Sequence, residues 1–460
     1  MSAPPPRSPS TPGGRFLSGS TLGHVTSMTA AGSVGLLALF AVDVLNLFYI
    51  ARLGRPELTA AAGYAATLLF FLTSLSIGLA IAATALTSRA LGAGQTSQAR
   101  QMAGASLGYM ALSMAVCALL MAPVVPWMLQ ALGAQGEAAR AAERFMWIVL
   151  PSAPLLGLAM GLGALLRAAG DARRAMGVTL CGAVVVACLD PLFILTLGWG
   201  LDGAAVVTLL ARGAMVVFGL HALVRRHHLW AWPTRQTLQQ HWKPYMAIGL
   251  PAVLTQLATP VGNAMVTAVM APFGDAAVAA WAVIVRIIPM AFVALFALSG
   301  AVGPIMGQNL GAQRHDRLRS TLDDSLKLVV VYVLAVWLLL ALGRGWIAAA
   351  FGATGQAAEL IEFFCLFVAG SYLFNGALFV ANAAFNNLGF AFYSTALNWG
   401  RATLGVAPFI ALGGQWQQRL RDGAPQRVAL GRGSRGGARA DGSVQHGWPW
   451  RWLVSGAAVG

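Results

Sequence analysis

Charged residues are scarce in this chain of 460 residues, and their scarcity excludes several classes of protein. Asp, Glu, Lys and Arg together make up 10% of the sequence, whereas a soluble globular protein carries about 25%. A soluble enzyme and a disordered protein are therefore both excluded. The net charge of +15 does not indicate a nucleic-acid binder, because the arginines lie in short connectors and form no stripe with interleaved aromatic residues.

Motifs that bind cofactors or carry out catalysis are also absent. The sequence contains no G-x-x-x-x-G-K-[ST] phosphate loop, no G-x-S-x-G elbow and no H-E-x-x-H pair. Its four cysteines lie inside apolar runs without the spacing of metal ligands. The pair His227-His228 falls in a basic linker, where we expect it to be solvated. We expect no enzyme activity, no cofactor and no nucleic-acid partner.

Long apolar runs, by contrast, fill the sequence, in which 58% of the residues are hydrophobic. A membrane-spanning helix needs about 20 mostly apolar residues. Eleven runs meet this requirement, at about residues 28–50, 63–87, 104–125, 144–166, 175–198, 203–224, 245–271, 277–303, 327–350, 361–385 and 391–413. The sequence therefore predicts an all-α polytopic membrane protein, preceded by a disordered tail rich in Pro, Ser and Gly at residues 1–24.

The distribution of basic residues predicts the orientation of these helices. With the N-terminus in the cytoplasm, the inner connectors hold fifteen basic residues, whereas the outer connectors hold Arg52, Arg55, Arg140, Arg144 and Arg344. Cytoplasmic loops of membrane proteins carry an excess of Lys and Arg. We therefore expect a cytoplasmic N-terminus. The scarcity of Lys beside abundant Arg, Ala and Gly suggests a bacterial gene.

An internal repeat divides the chain into two similar halves. The motif LGA at 91–93 recurs at 310–312, and Gly170 recurs as Gly389, each at an offset of 219 residues. Two six-helix units with the same orientation are typical of alternating-access transporters, although a two-lobed channel or scaffold is an alternative. The predicted domains are an N-terminal bundle at 25–225, a basic cytoplasmic linker at 226–244 and a C-terminal bundle at 245–415.

The end of the chain departs from this repeat. The offset predicts a twelfth helix at about 422–443, but Arg427, Arg432, Arg435 and Arg439 fall within it. Each Arg at a helix centre costs about 2.5–3.5 kcal/mol, so we expect this segment not to span the membrane. One hypothesis is a change of reading frame near Pro425, which re-reading the 3′ end of the gene would test. The alternative is a divergent basic tail at 416–460.

Two acidic residues lie deep inside apolar runs, Asp43 in the first run and Asp190 in the fifth. Ionisable groups at membrane depth are costly and mark ion pathways. A carboxyl group in such a site binds either a proton or, with further oxygen ligands, Na⁺. Asn46 lies one turn after Asp43 and is expected to share its ion. Thr208 is a further candidate ligand, or else it bonds to the backbone of its own helix.

Pro191 follows Asp190 and predicts a break in the fifth helix. A proline removes one backbone hydrogen bond and here frees the carbonyl oxygen of Ala187. Discontinuous helices with free carbonyl groups are places where transporters bind ions. The alternative is that Asp43 and Asp190 are solvated or paired for structural reasons.

Other polar residues at membrane depth admit two interpretations. Amide side chains of the second half either face a substrate cavity or form interhelical hydrogen bonds, and they are Gln256, Asn263, Asn375, Asn382 and Asn398. Arg212, Arg286 and Arg401 are expected to pair with acids or carbonyl groups or to lie near helix ends. Asp202, in a Gly-rich turn, is expected to cap a helix.

Several segments resemble the multidrug and toxic compound extrusion (MATE) family, and most closely its DNA-damage-inducible branch. The resemblance runs from about residue 25 to 415, in the expected order, and is carried by DVLNLFYIARLGRPELTAAAGYAATLLFF, SRALGAGQTSQAR, CLDPLFILTLGWGLDGAA, GPIMGQNLGAQRHDRLR and NAAFNNLGF. It implies twelve helices in two bundles in the bacterial inner membrane, with the last helix missing or altered here. It also implies a secondary antiporter that exports organic, often cationic, compounds in exchange for H⁺ or Na⁺.

The resemblance also assigns residues. Asp190 matches the fifth-helix acid of the family's cation site, and Thr208 matches a polar position of the sixth helix. Asn46 stands where many members have a first-helix acid, and Asp43 lies one turn before it. Val186 stands where this branch often has Asn. These departures leave the ion open between H⁺ and Na⁺.

The expected partners are lipophilic or cationic small molecules, which would bind in a V-shaped cavity, and membrane lipid. We expect a monomer. A flippase for lipid-linked precursors is one rival function, but its cavity would need many Arg and Lys residues for phosphate, and few basic residues lie at membrane depth here. A non-transporting or defective remnant is the second rival, because of the altered C-terminus.

Overall fold

The computed structural model describes residues 14–270 and 275–405, with all side chains in them except those of residues 263–265, 267–270, 275–279 and 404–405. Throughout these ranges the regular structure is helical, which confirms the predicted all-α class. The α-helices are α1 (Thr21–Ala51), α2 (Pro56–Gly92), α3 (Thr96–Met121), α4 (Val125–Ala131), α5 (Gly136–Val149), α6 (Ala153–Ala168), α7 (Ala172–Asp190), α8 (Gly200–His221), α9 (Arg235–Met270), α10 (Asp275–Ala291), α11 (Val293–Gly311), α12 (His315–Ala350), α13 (Gly355–Phe363), α14 (Tyr372–Leu388) and α15 (Ala391–Gly400). The predicted twelfth helix and the basic tail lie outside the described residues.

Nine helical segments of the described chain are long and apolar enough to cross a membrane, so the protein is a multi-pass membrane protein. The segments are Thr21–Ala51, Pro56–Gly92, Thr96–Ala131, Gly136–Ala168, Ala172–Thr196, Gly200–Arg226, Val293–Gly311, His315–Ala350 and Gly355–Leu388. The predicted runs 245–271 and 391–413 are not among them, although α9 covers the first and α15 begins the second. The predicted run 277–303 is divided at Phe292 between α10 and α11.

Prolines interrupt two helices that matter for the site. Pro151 lies in a single turn of 3₁₀ helix, Leu150–Ser152, that separates α5 from α6. Pro191 begins a π-helical turn, Pro191–Thr196, directly after Asp190. Proline lacks the N–H group that a continuous α-helix requires. The helix thus changes from α to π geometry directly after Asp190, where the sequence predicts that Pro191 distorts it.

Repeat-related turns share an unusual backbone conformation. Gly170 and Gly389 have φ of 83° and 94°, and Gly133 and Gly352 have φ of 88° and 64°. Glycine is the residue that adopts positive φ without steric cost. The repeat is thus preserved in the turns as well as in the sequence.

The described chain divides into two compact units. One contains residues 14–260, 287–333 and 376–398, and the other contains 261–270, 275–286, 334–375 and 399–405. In the first unit, α1 packs against α7 and α11, and α11 also packs against α2 and α6. In the second unit, Trp337 Nε1 donates a hydrogen bond of 2.9 Å to the carbonyl oxygen of Leu366. The domain boundaries drawn from the repeat stay a prediction.

Helices α2 and α11 touch at the membrane face where α1 begins, which we call the N side. A Cβ atom at Gly92 would overlap the carbonyl oxygen of Gln308, and one at Gly311 would overlap that of Arg89. The two contacts are related by the repeat, because Gly92 corresponds to Gly311 and Arg89 corresponds to Gln308, each at an offset of 219 residues. Close approach of two backbones is a known use of glycine in membrane helices. The two halves therefore meet at a symmetric crossing of these helix ends.

Residues 14–24 differ from the disordered tail predicted over 1–24. Residues Arg15–Leu17 form a short 3₁₀ helix, and α1 already begins at Thr21. The Phe16 side chain is buried, at 1% exposure. Composition alone suggested a tail, whereas tertiary contacts of Phe16 and its neighbours order this part of the segment.

Candidate functional site

Asp190 is the most enclosed acid among the described residues at membrane depth. It lies at the last α-helical position of α7 and is 1% exposed. The π-helical turn that follows places it at a discontinuity of the helix, a feature that often marks functional sites. Its Oδ1 atom is buried and has no hydrogen-bond partner among the described residues. One carboxyl oxygen is thus open to a cation.

Asn46 supplies the partner of the other oxygen. Its Nδ2 donates a hydrogen bond of 2.7 Å to Oδ2 of Asp190, from α1 to α7. The sequence brought Asn46 together with Asp43 on one face of α1, whereas the structure pairs it with Asp190 across two packed helices. Such a contact depends on how α1 and α7 pack, and helical spacing does not reveal it.

Asp43 and Thr208 lie differently. Asp43 is exposed, and its carboxylate has no hydrogen-bond or ion-pair partner in the described part of the chain. Thr208 donates a hydrogen bond of 2.9 Å to the carbonyl oxygen of Ala204 in its own helix. That is the alternative stated above for this residue. Roles of Asp43, Asn46, Asp190 and Thr208 in cation coupling stay predictions.

The groups around Asp190 leave one of its two carboxyl oxygens without a hydrogen-bond partner among the described residues. The amide of Asn46 presents an N–H group to the carboxylate, which leaves Oδ1 as the open oxygen. No group of three or more His, Cys, Asp or Glu side chains suited to a metal ion occurs among the described residues. Proton transfer needs only one basic oxygen, whereas a bound metal ion needs several oxygen ligands. The choice between H⁺ and Na⁺ stays a prediction.

The amide groups of the second half show interhelical bonding. Oδ1 of Asn382 in α14 accepts hydrogen bonds of 2.9 Å from Oγ of Ser394 and from Nδ2 of Asn398, both in α15. All three residues are buried. Gln256 is half-buried, and the side chain of Asn263 lies outside the described residues. The cavity role predicted for Gln256, Asn263, Asn375 and Asn382 stays a prediction.

The arginines at membrane depth are held by neutral groups. Arg212 Nη1 donates a hydrogen bond of 2.7 Å to Oγ of Ser152, which lies in the 3₁₀ turn between α5 and α6. Arg401 Nη1 donates 2.8 Å to Oδ1 of Asn375. Arg286 is exposed. Arg212 also reaches the carbonyl oxygen of Val149, at 3.5 Å, as expected, although its nearer partner is the Ser152 hydroxyl group. No described carboxylate forms an ion pair with Arg212 or Arg401.

Two expectations for connector residues are wrong. Asp202 does not cap α8, because the helix already begins at Gly200. It lies in the first helical turn, where a negative charge favours the helix dipole, and its Oδ2 is 3.6 Å from Arg144. His227 is not simply solvated, since its Nε2 lies 2.9 Å from Oδ2 of Asp171.

Sequence reasoning missed one set of residues near the N side. Gln308, Asn309 and Arg317 bind the backbone or side chains around Phe16. Their signal in the sequence was a basic, amide-rich stretch, GQNLGAQRHDR, which supported the repeat, the orientation and the family resemblance but did not predict contacts with the N-terminal segment. Their targets are backbone groups, which no side-chain motif encodes.

Comparison with known families and proteins bears on this geometry. A sequence model of the MatE family matches residues 33–192 and again residues 251–409. Because the same model matches both halves, the internal repeat is confirmed. The particular branch suggested by the motifs stays a prediction.

Named relatives and solved structures agree with the family match. The FAD transporter of Shewanella oneidensis is 26% identical over 84% of this chain and 87% of its own. The multidrug export protein MepA of Staphylococcus aureus is 23% identical over 75% of this chain and 77% of its own. The Vibrio cholerae MATE transporter VcmN, in its bent form, matches with a TM-score of 0.83 at 24% identity, covering 95% of this chain and 93% of that one. The structural likeness confirms the predicted fold.

Proposed function

The chain belongs to the MATE family of membrane transporters, and we propose that it is a secondary antiporter that exports organic, often cationic, compounds in exchange for protons. The family and its multidrug exporters support the export of small molecules. We also propose that it works as a monomer in the bacterial inner membrane with its N side in the cytoplasm. The excess of basic residues in the connectors of that side supports this orientation.

The observation that carries the proposal is the buried Asp190 with one open oxygen. Asn46 donates to Oδ2, and Oδ1 is free of partners among the described residues. A proton on Oδ1 neutralises a carboxylate that is otherwise costly at membrane depth. In the antiport cycle, protonation of Asp190 on one side would favour one state of the transporter and deprotonation would favour the other. Such a shift requires different proton affinities in the two states.

The test is efflux of ethidium from proteoliposomes that hold the purified chain. A pH gradient and a Na⁺ gradient are imposed separately, and protein-free vesicles give the leak rate. We expect the pH gradient to drive efflux and the Na⁺ gradient alone to leave it at the leak rate. Efflux driven only by Na⁺ would reassign the ion, and no efflux with either gradient, for any substrate tried, would contradict antiport.

A second candidate substrate class is anionic. Arg401 is held by the neutral amide of Asn375, and its Nε atom has no partner among the described residues. An arginine at membrane depth without a carboxylate partner suits a phosphate or carboxylate group of a substrate. The FAD transporter similar to this chain carries such a substrate by its name.

Competition separates the two classes. FAD and ethidium are offered together, and the initial rate of each is measured in the parent protein and in the variant Arg401→Gln. If the substrates are cationic, the variant keeps ethidium efflux and FAD does not compete. If the second class is correct, FAD is transported and Arg401→Gln raises its KM while kcat changes little.

A further inference from the structure

The segment before the first membrane helix is bound along its backbone. Arg317, in α12, donates hydrogen bonds of 2.9 Å from Nη2 to the carbonyl oxygen of Phe16 and from Nη1 to that of Gly19. A third contact, 3.5 Å long, reaches the carbonyl oxygen of Ser18. One guanidinium thus contacts three carbonyl oxygens within four residues, a pattern that its planar fork of donors makes possible. Phe16 itself is buried.

The first turn of α1 is tied to the same helix. The hydroxyl group of Thr21 donates a short hydrogen bond to Oδ2 of Asp324, which also lies in α12. Oγ of Ser20 accepts from the N–H of Gly23 and caps α1. The N-side end of α1 is therefore fixed to α12 by two separate side chains, Arg317 and Asp324.

The segment is also connected to the crossing of α2 and α11. Gln308 accepts a hydrogen bond of 2.9 Å from the N–H of Phe16 and donates one of 2.7 Å to the carbonyl oxygen of Ala168 at the end of α6. The backbone of the same Gln308 lies against Gly92. Nε of Arg317 donates a hydrogen bond of 3.1 Å to Oδ1 of Asn309, which follows Gln308 in α11. Arg317 thus joins the segment to α11, one of the two helices of the crossing.

We propose that Arg317 is a positioning residue for transport, which holds the N-side end of α1 in place while the α2–α11 crossing is closed. This inference rests on the proposed antiport. Helix α1 spans Thr21–Ala51 without an internal proline, and it carries Asn46, the partner of Asp190. A movement of α1 that follows cation binding must therefore act on the contacts of Arg317 at its other end. Coupling between the two places is reciprocal.

The charged or titratable groups near Arg317 and the segment are Asp316, Asp324 and His24. His24 Nε2 lies 2.7 Å from the carbonyl oxygen of Ser18, and its ring packs against that of Phe16. Asp316 pairs with Arg314, at 3.6 Å, and is exposed. Asp324 contacts Thr21 and lies 3.7 Å from Lys327. The described contacts of Arg317 are all with neutral oxygen atoms. Its removal therefore releases the segment without leaving an acid unpaired.

The test compares Arg317→Gln and Arg317→Lys with the matched control Arg319→Gln. Arg319 has the same charge, lies on the same helix two residues away and is exposed. Hydrogen–deuterium exchange is followed in peptides that cover residues 14–24. It is measured at a pH at which Asp190 is protonated and at a higher pH at which it is not. Ethidium efflux and ethidium binding without a gradient are measured on the same preparations.

In the parent protein and in Arg319→Gln, we expect slow exchange at residues 14–24 that changes with pH, and normal efflux. In Arg317→Gln, exchange corrected for the intrinsic rate at each pH should rise several-fold and lose its dependence on pH, and efflux should fall several-fold while ethidium binding is kept. Arg317→Lys should lie between, because an ammonium group cannot reach the three carbonyl groups with a fixed fork. Retained binding excludes simple misfolding.

Two outcomes would overturn the inference while leaving the antiport proposal intact. One is a parent protein that transports while Arg317→Gln transports equally well. The other is exchange at residues 14–24 that is the same at both pH values in a transporting parent, or that stays pH-dependent after Asp190→Asn. A parent that does not transport at all would instead contradict the proposed function.

Discussion

The two halves of the chain are alike at the ends of their helices and unlike in the middle of the membrane. At the N side, Gly92 and Gly311 occupy related positions and make related backbone contacts. At membrane depth, the first half carries Asp43 in α1, whereas the related position in α9 is Gly262. The second half instead carries the neutral cluster of Asn382, Ser394 and Asn398.

The difference indicates how a duplicated scaffold separates two tasks. In the proposed antiport cycle, symmetric contacts at the helix ends would let the two halves move as similar bodies, which alternating access requires. If Asp190 binds the coupling cation as proposed, the first half responds to the cation directly and the second half does not. Neutral hydrogen bonds in the other half stabilise helix packing and do not respond to pH.

The largest effect that tests this asymmetry is expected at Asp190. The variant Asp190→Asn keeps the shape of the side chain but cannot exchange a proton, so gradient-driven efflux should fall to the leak rate of protein-free vesicles. The control Asp202→Asn alters a partly exposed acid in the first turn of α8 and should keep efflux. Efflux by Asp190→Asn at the parent rate would show that Asp190 is not the site of the coupling cation.

The symmetric crossing predicts a matched pair of stability effects. Gly92→Ala and Gly311→Ala each place a Cβ on a backbone carbonyl group of the other helix, and each should lower the free energy of unfolding by about 1–3 kcal/mol. Gly63→Ala is the control, because no atom of another residue lies near that position of α2, and it should stabilise the helix by up to about 1 kcal/mol. Thermal unfolding in detergent measures all three. Unequal losses of stability in Gly92→Ala and Gly311→Ala would contradict the energetic equivalence of the two contacts.

The neutral cluster of the second half should affect stability and leave ion coupling unchanged. Asn382→Ala removes the acceptor of Ser394 and Asn398, and hydrogen bonds between membrane helices contribute about 1 kcal/mol or less each. A double-mutant cycle with Asn398→Ala isolates their interaction. The pH dependence of efflux should be the same as in the parent protein. A shifted pH profile would give the second half a part in coupling.

The smallest expected effect lies in the turn between α6 and α7. Desolvation by itself raises the pKa of Asp171, but hydrogen bonds from the backbone and side chain of Arg174 and from His227 outweigh it and lower the pKa below its usual value. The carboxylate therefore stabilises the turn above the unfolded-state pKa of about 3.9, and this stabilisation is lost as pH falls through the lowered folded-state pKa. The related residue of the second half is Phe390.

Hydrogen–deuterium exchange across acidic pH measures this difference between the turns. After correction for intrinsic exchange, peptides around residues 168–178 should lose protection as the pH falls, and peptides around 387–397 should not. Asp171→Asn should remove the pH dependence. Equal behaviour of the two turns in the parent protein would contradict the role given to Asp171.

Sequence patterns predicted features that depend on local order in the chain. Apolar runs predicted the membrane helices, the 219-residue offset predicted the duplication, and Asp190-Pro191 predicted a helix break beside an acid. Each follows from spacing or from one residue type. The partner of Asn46 was not predictable, because helical spacing placed it beside Asp43 and only helix packing brings it to Asp190.

Residues 14–24 give a second example of a feature that depends on tertiary contacts and could not be predicted from the sequence. Its Pro, Ser and Gly content predicted disorder, and composition is a sound guide when a segment has nothing to pack against. Here Phe16 is buried and Arg317 and Gln308 bind its backbone. Those residues lie almost 300 positions away, and their amide and guanidinium groups bind carbonyl and N–H groups that every residue has.

The measurement that tests the central claim most directly is proton release on substrate binding. Ethidium is added to the purified protein in weakly buffered detergent, and the pH change is recorded for the parent protein and for Asp190→Asn. If Asp190 exchanges its proton for substrate, the parent releases protons in proportion to bound ethidium and the variant releases none while still binding. Equal proton release from the two proteins would contradict the account. So would the absence of proton release from a parent protein that binds ethidium and whose ethidium transport is driven by a pH gradient.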